Sequence, residues 1–316
     1  MDFPEYSHCE LCPRKCGVDR LHGQRGFCGE GAELHIAAIE AHFGEEPPLV
    51  GKDGSGTVFL TGCSCGCFFC QNYQLSTEHV GDFLSIQEAA ERILALAGKV
   101  IRNINFVTPD HYWPHLREVL KLVRKADCWL PVVWNSSGYS NVKTLQDALD
   151  NGVEIFLPDF KYADAALAKA CMGREDYPQV AMESLKFLVD RAGFLRPFDE
   201  TGEMAANRGV LVRHLVLPGE VENSLAILRA LYEEFGPRLP ISVMRQFRPM
   251  PECHRRGKFT RVVTDEEYTR VMDCVEELGF RRVFLQPQCG DANFIPDFRH
   301  PGEAFKGNAL AQGKDF

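Results

Sequence analysis

Several features are missing from this chain of 316 residues. It has no apolar run near the roughly 20 residues that a membrane-spanning helix requires. Its first residues have neither a basic start nor an apolar core, so we expect no signal peptide and a cytoplasmic location. Glycine and proline are spread out, which excludes a low-complexity segment. A positive charge excess is also missing: the formal net charge of −9 argues against general nucleic-acid binding.

Cysteine, in contrast, is abundant and unevenly placed. Four cysteines fall within residues 63–70, which we call the cysteine loop, and three of them have the spacing Cys63, three residues, Cys67, two residues, Cys70. Thiolates are soft ligands, so three on one loop can ligate three irons of a cubane cluster. No fourth cysteine follows at ferredoxin-like spacing. One iron would therefore keep an open position for a substrate or cofactor, as catalytic metal sites do.

Disulfides, a structural zinc site and simple packing are the alternatives for such a loop. A cysteine-rich chain without an export signal favours metal binding over disulfides. Zinc normally takes four ligands in paired spacings, which this loop fits poorly. We therefore interpret Cys63, Cys67 and Cys70 as iron–sulfur ligands and Cys65 as a non-ligand.

A second group, the N-terminal cysteine set, comprises Cys9, Cys12, Cys16 and Cys28. Four thiolates are a full complement for zinc and suit a second iron–sulfur cluster equally well, and the spacing does not separate the two. The segment has too little apolar content for these cysteines to be merely packed. Arg14, Lys15, Arg20 and Arg25 are expected to offset the thiolate charge. We expect the remaining cysteines to be structural: Cys128, Cys171, Cys253, Cys274 and Cys289.

From about residue 57 onward, short apolar runs alternate with amphipathic stretches. Strands are predicted at 57–61, 105–108, 131–135, 154–158, 209–217, 241–244 and 282–285. Helices are predicted at 85–97, around 116–123, and at 142–149, 164–172, 177–191, 222–235 and 264–278, the last with a capping box of Thr264 and Glu267. This alternation indicates parallel strands with right-handed crossovers.

The number of repeats favours an α/β fold with a partial (β/α)6 barrel, although a doubly wound sheet gives a similar pattern. We predict three regions: a cysteine-rich metal-binding extension (1–56), the barrel (57–296) and a polar C-terminal tail (297–316) that is either disordered or covers the barrel mouth. In a barrel, chemistry occurs at the carboxyl ends of the strands. The cysteine loop follows the first strand, and polar clusters follow the later strands at 108–111, 135–137, 159–161, 213–214 and 245–248.

The cysteine loop after a first strand resembles the signature of the radical S-adenosylmethionine (SAM) enzymes. Further segments resemble the uncharacterised branch of that superfamily related to pyruvate formate-lyase activating enzyme: 9–16, 105–112, 135–139, 157–162 and 212–219. The resemblance extends from residue 9 to about residue 298.

The resemblance implies a [4Fe–4S] cluster on Cys63, Cys67 and Cys70, with SAM chelated to the fourth iron. An electron from a flavodoxin- or ferredoxin-type donor would cleave SAM to methionine and a 5′-deoxyadenosyl radical, which abstracts hydrogen. The acceptor would be a glycyl-radical enzyme, another protein or a small molecule. Outside the enzymes, an iron–sulfur electron carrier or a zinc-stabilised binding module remains an alternative.

The resemblance also suggests site residues. Thr108 and Pro109 lie where the family has a glycine-rich strand end at the cofactor. Asn135, Ser136, Asp159, Lys161 and Arg213 match cofactor-binding strand ends, and we assign Gln246 and Arg248, expected on one face of the sixth strand, to substrate. His214 alternates with Arg213 and is expected to be a hydrogen-bonded core histidine. Phe68 and Phe69 would shield the cluster.

Overall fold

The structure, a computed structural model, describes residues 2–286, 295–300 and 304–305. The described strands are β1 (His35–His42), β2 (Ser55–Leu60), β3 (Asp82–Phe83), β4 (Ile104–Val107), β5 (Val132–Ser136), β6 (Ile155–Pro158), β7 (Gly209–Val210), β8 (Val212–Leu215), β9 (Ile241–Met244) and β10 (Val283–Leu285). The described α-helices are α1 (Pro47–Val50), α2 (Tyr73–Ser76), α3 (Ile86–Ala97), α4 (Trp113–Lys125), α5 (Val142–Asp150), α6 (Ala165–Met172), α7 (Tyr177–Ala192), α8 (Val221–Phe235), α9 (Pro251–Arg256) and α10 (Asp265–Leu278).

The parallel strands follow one another in space in the order of the chain. β2, β4, β5, β6 and β7 pair in succession, and β8, β9 and β10 form a second parallel group. A parallel bridge between Asp159 and Arg213 joins the groups. A doubly wound sheet would reverse this order at one point, so the arrangement is that of a barrel. Within the described residues β10 does not pair with β2, and the barrel is partial.

The predicted strands are confirmed to within two residues, with one exception. The fifth, predicted as one strand over residues 209–217, is two short strands, because β7 pairs with β6 whereas β8 pairs with β9. β1 was not predicted; it runs antiparallel to β2 and to β3. The sheet therefore continues into residues 35–42, which were expected to belong to the N-terminal extension.

The helices cover the outside of the barrel because their apolar stripes match the outward residues of the strands. Phe106 and Trp134 point outward and are buried with Leu116 of α4 in the main core. The predicted capping box of Thr264 and Glu267 is present on α10. A second capping box, Ser85 with Glu88, begins α3.

The alternate strand residues point into the barrel lumen, which is apolar at one end and polar at the other. Leu49 of α1 packs against Val133, Ile155, Leu211 and Phe284, and this cluster fills the amino-terminal end of the lumen. Nearer the carboxyl ends the inward residues are Asn105, Asn135, Asp159 and Arg213. The lumen is therefore closed by packing at one end and chemically functional at the other.

Residues 2–34 contain only short 3-10 helices as regular structure, at Pro4–Tyr6 and Arg20–His22. Buried polar contacts attach this segment to the barrel. The Arg20 guanidinium donates to the carbonyls of Gly31 (2.9 Å) and His111 (2.6 Å). The Glu30 carboxylate accepts hydrogen bonds from Thr61 (2.9 Å) and Tyr112 (2.8 Å).

The described cysteines are all free thiols. As expected for structural residues, Cys171, Cys253 and Cys274 are buried, Cys128 is partly buried, and Cys289 lies outside the described residues. Most of the predicted tail also lies outside them, but Phe298 is buried against Phe59. No helix in the described part of the chain is long and apolar enough to cross a membrane.

Candidate active site

The cysteine loop begins where β2 ends, and two glycines shape it. Gly62 (φ +74°) and Gly66 (φ +60°) have left-handed backbones that favour glycine. Both also face the N-terminal segment closely. A Cβ on Gly62 would lie 2.7 Å from the carbonyl oxygen of Cys28, and a Cβ on Gly66 would lie 2.7 Å from the Phe27 ring. The loop and the N-terminal segment are therefore in direct contact.

The three predicted ligands, Cys63, Cys67 and Cys70, are held in one loop with polar partners. The backbone N–H of Cys65 donates to Cys63 Sγ (3.3 Å), and Tyr162 Oη lies 3.2 Å from Cys67 Sγ. Contact with the Cys65 thiol lowers the pKa of Cys67 to about 7, and Lys161 and Tyr162 act in the same direction against the effect of burial. Burial raises the pKa of Cys63 to about 12.

This donor set fits a cubane cluster better than a single ion. Among the described residues, no three cysteine, histidine or acidic side chains converge closely enough to hold one metal ion. In a cubane each thiolate ligates its own iron, so the sulfurs do not have to meet at a single point. A nearby ammonium, that of Lys161, also suits a site that gathers anionic sulfur.

An aromatic wall lies behind the cysteine loop. Phe68 stacks on Phe259 with ring centroids 5.6 Å apart, and Phe69 packs edge-on against Phe247 and Phe259. Phe69 and Phe247 are buried. This packing excludes water from one side of the loop, which agrees with the shielding role expected of Phe68 and Phe69.

Asp159 and Lys161, at the end of β6, form an ion pair next to the cysteine loop. The backbone N–H of Lys161 donates to Tyr177 Oη (2.9 Å), and that hydroxyl donates to the Ser137 carbonyl (2.8 Å). The ends of β5 and β6 are thereby tied together. Both charged groups are only partly exposed, so the pair is available to a ligand at the barrel mouth.

Thr108, just after β4, has a backbone φ of +53°. Such a value is a real outlier for a β-branched residue and is readily adopted by glycine. Three of the predicted cofactor-binding residues lie together here: the Thr108 N–H donates to the Asn135 carbonyl (2.8 Å), and Pro109 follows Thr108 in the chain. Ser136 is buried, and its Oγ accepts the N–H of Gly138 (3.3 Å).

Arg213 lies inside the lumen, where two carboxylates bind it. Its guanidinium pairs with Glu45 and with Glu46, the latter through an Nε to Oε1 hydrogen bond of 3.0 Å. Glu45 also accepts from Asn105 Nδ2 (2.9 Å) and from Asn135 Nδ2 (3.4 Å). A buried acid–base network therefore lies beneath the strand ends.

His214 points to the opposite side of β8, as strand alternation predicts. Its Nδ1 lies 2.8 Å from the Phe160 carbonyl and its Nε2 lies 2.9 Å from Ser224 Oγ. Burial lowers the pKa of His214 to about 4. The expectation of a hydrogen-bonded core histidine is confirmed.

The location predicted for Gln246 and Arg248 is wrong, because β9 ends at Met244 and both residues lie in the loop that follows. The side chain of Gln286 donates to Gln246 Oε1 (3.0 Å), and that of Gln71, beside the cysteine loop, donates to the Gln246 carbonyl (3.0 Å). Arg248 Nε is buried and has no hydrogen-bond acceptor within the part of the chain that the structure describes.

Several residues of this site were not predicted from the sequence. Glu45 and Glu46 lie in the region expected to form the N-terminal extension, so their contact with a strand more than 150 residues later could not be inferred. Glu30 was missed for the same reason. Tyr162 stands within a segment that carries the family resemblance, and its position next to Asp159 and Lys161 was a signal that could have identified it.

The N-terminal cysteine set forms its own polar surroundings. Burial raises the pKa of the Cys12 and Cys28 thiols, and the Phe27 N–H donates to Cys16 Sγ (3.4 Å). Of the cations expected to offset thiolate charge, Arg20 does approach Cys9 Sγ (3.9 Å). Arg14 instead donates to backbone carbonyls of the barrel.

Comparison with known proteins gives one family and several relatives. The Radical SAM superfamily matches residues 57–231, more than half of the chain. The uncharacterized protein MJ0674 of Methanocaldococcus jannaschii is 26% identical over 286 residues, covering 88% of this chain and 77% of that protein. The structure of methylornithine synthase (PylB) aligns with a TM-score of 0.49 at 15% identity, over 78% of this chain and 76% of that one. Streptococcus suis SuiB bound to S-adenosylmethionine aligns with a TM-score of 0.44 at 10% identity, over 72% and 45%.

Proposed function

The chain belongs to the radical SAM superfamily, and from this we propose that Cys63, Cys67 and Cys70 hold the [4Fe–4S] cluster at which SAM is cleaved. When bound, the cluster supplies the electron that splits SAM into methionine and a 5′-deoxyadenosyl radical. The observation that carries the assignment is the position of these three thiols. They lie on the loop after β2, beside Lys161 and in front of a buried aromatic wall.

We assign the Asp159–Lys161 pair to the methionine part of SAM. A lysine ammonium can bind the methionine carboxylate, and an aspartate can bind the methionine ammonium. The two residues form an ion pair with each other. When SAM binds, each would exchange that contact for one with the methionine carboxylate or ammonium. Thr108 and Pro109 would contribute backbone contacts, since Thr108 has a glycine-like backbone conformation where the strand ends.

Asn135, Ser136 and Arg213 are proposed to complete the cofactor site. Asn135 and Arg213 share Glu45 as a partner, so Arg213 would act on the cofactor by orienting the amide of Asn135. Gln246 and Arg248 are proposed to bind substrate. The support is that Gln246 hydrogen-bonds the residue next to Cys70, and that Arg248 has a buried Nε with no acceptor in the described residues.

The specific reaction depends on which molecule gives up a hydrogen atom to the 5′-deoxyadenosyl radical. We propose hydrogen abstraction from a glycyl-radical enzyme, on the basis of the sequence segments that resemble pyruvate formate-lyase activating enzyme. Modification of another protein or of a small molecule is the alternative. Incubation of the reduced protein with SAM and a glycyl-radical enzyme separates them: a glycyl radical detected by electron paramagnetic resonance supports activation, and its absence alongside SAM cleavage favours the alternative.

We propose that an acidic flavodoxin- or ferredoxin-type protein delivers the electron at a groove of about 670 Å³ beside the cysteine loop. Cys67 and Phe68 line one wall, and Arg255 and Arg256 of α9 line the other. The Arg256 guanidinium lies 4.8 Å from the centre of the Phe68 ring. The lining also contains Lys169, Glu78 and Glu252, and Glu252 pairs with both arginines. In a protein of net charge −9, the small local excess of positive charge that is left favours an acidic partner next to the cluster.

SAM cleavage tests the proposed function. The protein is reconstituted anaerobically with iron and sulfide, reduced, and given SAM, and 5′-deoxyadenosine is measured by chromatography. We expect product from the wild type and from the control Cys128→Ala, and none from Cys63→Ala, Cys67→Ala or Cys70→Ala. A reducible cluster without cleavage would indicate an electron carrier. Zinc with no visible absorption would indicate a binding module.

A further inference from the structure

The C-terminal tail is described at residues 297–300 and 304–305, which we call the tail segment, and it packs against β2. The ring centroid of Phe298 lies 5.0 Å from that of Phe59. The ring centroid of Phe305 lies 5.5 Å from the same Phe59 ring. Phe298 is only 2% exposed. The tail segment is therefore folded onto the barrel.

The surface beneath these rings faces the lumen. Phe59 pairs in register with Val107 of β4, and Val107 points to the same side of its strand as Asn105, which lies in the lumen. Val107 also packs against the apolar cluster that the tail segment joins. Phe305 extends the contact to His42 of β1, with ring centroids 4.4 Å apart. The tail segment therefore lines the lumen along β1 and β2.

One buried side chain of α2, the first helix after the cysteine loop, anchors the tail segment. Gln74 Nε2 donates to Asp297 Oδ1 (3.1 Å), and the Phe298 N–H donates to Gln74 Oε1 (2.7 Å). The next residue of the helix, Leu75, accepts the N–H of Gly62 (3.0 Å) on its carbonyl, at the start of the cysteine loop. Gln74 therefore connects the tail segment to the loop.

The attachment of the tail segment depends mainly on groups that are withdrawn from water. The ion pair of Arg299 with Glu78 is exposed and contributes little. The Phe298 ring and the Gln74 amide are buried. Detachment would therefore expose apolar surface and break the hydrogen bonds of that amide, and the attached state is favoured.

We propose that the tail segment is a wall of the active site, in which Phe298 and Phe305 exclude water from the lumen beside the cysteine loop and Gln74 positions the segment against the loop. Within the described residues β10 does not pair with β2, so the sheet by itself leaves the lumen open between them. The tail segment lies on the β2 side of that opening. Exclusion of water protects a reactive intermediate from side reactions. This inference rests on the proposed function only in taking the cysteine loop as the place where the radical forms.

Attachment is tested by hydrogen exchange of the full-length protein without added cofactor. Gln74→Glu sets a carboxylate against that of Asp297, and Phe298→Ser removes the buried ring. In both variants we expect residues 297–299 to exchange roughly tenfold faster or more, since the loss of a buried hydrogen bond or ring has an effect of this size. The amide of Gly62 should also exchange faster in Gln74→Glu.

The matched control is Gln179→Glu, which makes the same change next to Glu183 on an exposed face of α7 and should exchange as the wild type does. Residues 132–136 of β5 should stay protected in every variant, which shows that the barrel is folded. If a variant loses this protection, Asp297→Ala replaces it, because that change removes the acceptor of Gln74 at a partly exposed residue. Wild-type exchange of the tail segment in these variants would overturn the attachment.

The wall function is tested in the reconstituted protein by following the loss of visible absorption from the cluster in air. We expect severalfold faster loss in Phe298→Ser and in Phe305→Ser than in the wild type, because solvent reaches the lumen more easily. The control Phe83→Ser, at a ring on β3 that is 55% exposed, should match the wild type. Equal rates in all four proteins would refute the wall function.

The positioning role of Gln74 is tested apart from folding. Gln74→Glu should bind as much iron and sulfide as the wild type, while the electron paramagnetic resonance spectrum of its reduced cluster with SAM changes, since the start of the loop shifts at Gly62. Gln179→Glu should keep the wild-type spectrum. An unchanged spectrum in Gln74→Glu would contradict the positioning role. Absence of SAM cleavage in the wild type would instead count against the proposed function, and hydrogen exchange would still decide whether the tail segment is attached.

Discussion

At the scale of single residues, Thr108 carries the clearest strain near the site. A β-branched residue at φ +53° pays roughly 1–3 kcal/mol for that conformation. The resemblance to radical SAM enzymes predicts a glycine-rich turn at this position, and the chain has none. The backbone nevertheless adopts a glycine-like conformation here, so the turn is retained although the residue type differs.

Thr108→Gly should therefore keep SAM cleavage and leave the free energy of unfolding unchanged or about 1 kcal/mol higher, because relieved strain outweighs the added freedom of glycine in the unfolded chain. Urea denaturation of the variant provides the measurement. The control Thr77→Gly, at an exposed residue with φ −131°, should lose about 0.5–1 kcal/mol. An equal loss at both positions would show that Thr108 is not strained.

At the scale of elements, β8 and the connection between β1 and α1 depend on each other. Arg213 of β8 pairs with Glu45 and Glu46 of that connection, and the three side chains are buried. Removing one partner from a buried ion pair leaves an uncompensated charge, whereas removing all of them together does not.

Arg213→Met should accordingly lower the free energy of unfolding by about 3–5 kcal/mol, as measured by urea denaturation. The triple change Arg213→Met, Glu45→Gln and Glu46→Gln should recover most of that loss. As a control, Lys186→Met breaks the more exposed pair with Glu234 and should change stability by less than about 1 kcal/mol. If the triple variant is no more stable than Arg213→Met, the network does not work through charge.

The contacts of these elements explain what could be predicted from the sequence. The parallel strands and their helices follow local patterns, so the alternation and the capping box of Thr264 are directly predictable. β1 was missed because its segment was classified by its cysteines, and its antiparallel pairing falls outside the repeat. Within the site, the cysteine loop and the Asp159–Lys161 strand end were identified from motifs. The contacts of Glu45 and Arg14 bring distant segments together, and no local pattern encodes such contacts.

At the scale of the whole molecule, three buried histidines contribute to the loss of stability in acid, and His42, whose pKa burial also lowers, acts in the same direction. Burial lowers the pKa of His111 and of His214 to about 4, and that of His115 to about 3. All three are neutral in the folded protein at pH values where the unfolded chain, with a histidine pKa near 6.5, already binds protons. The unfolded state then holds more protons, so stability falls as the pH falls.

We expect the urea midpoint to decline steadily from pH 6.5 to pH 4, with each histidine contributing up to about 1.4 kcal/mol per pH unit. His35 opposes this trend, because the hydrogen bond to Glu30 raises its pKa against the effect of burial, and its contribution is lost as the pH rises. His214→Gln should make the decline shallower, and His8→Gln, at an exposed residue, should not. A flat profile in the wild type would contradict this account.

The apolar cluster around Leu49 has a consequence for the traffic of molecules through the barrel. Leu49, Val133, Ile155, Leu211 and Phe284 seal the amino-terminal end of the lumen. This closed end would direct cofactor and substrate to the carboxyl ends of the strands, where the cysteine loop lies. If one of the two molecules binds deeper in the lumen than the other, it must bind first and be released last. Turnover in this protein would then follow an ordered kinetic mechanism, with a fixed order of binding and release.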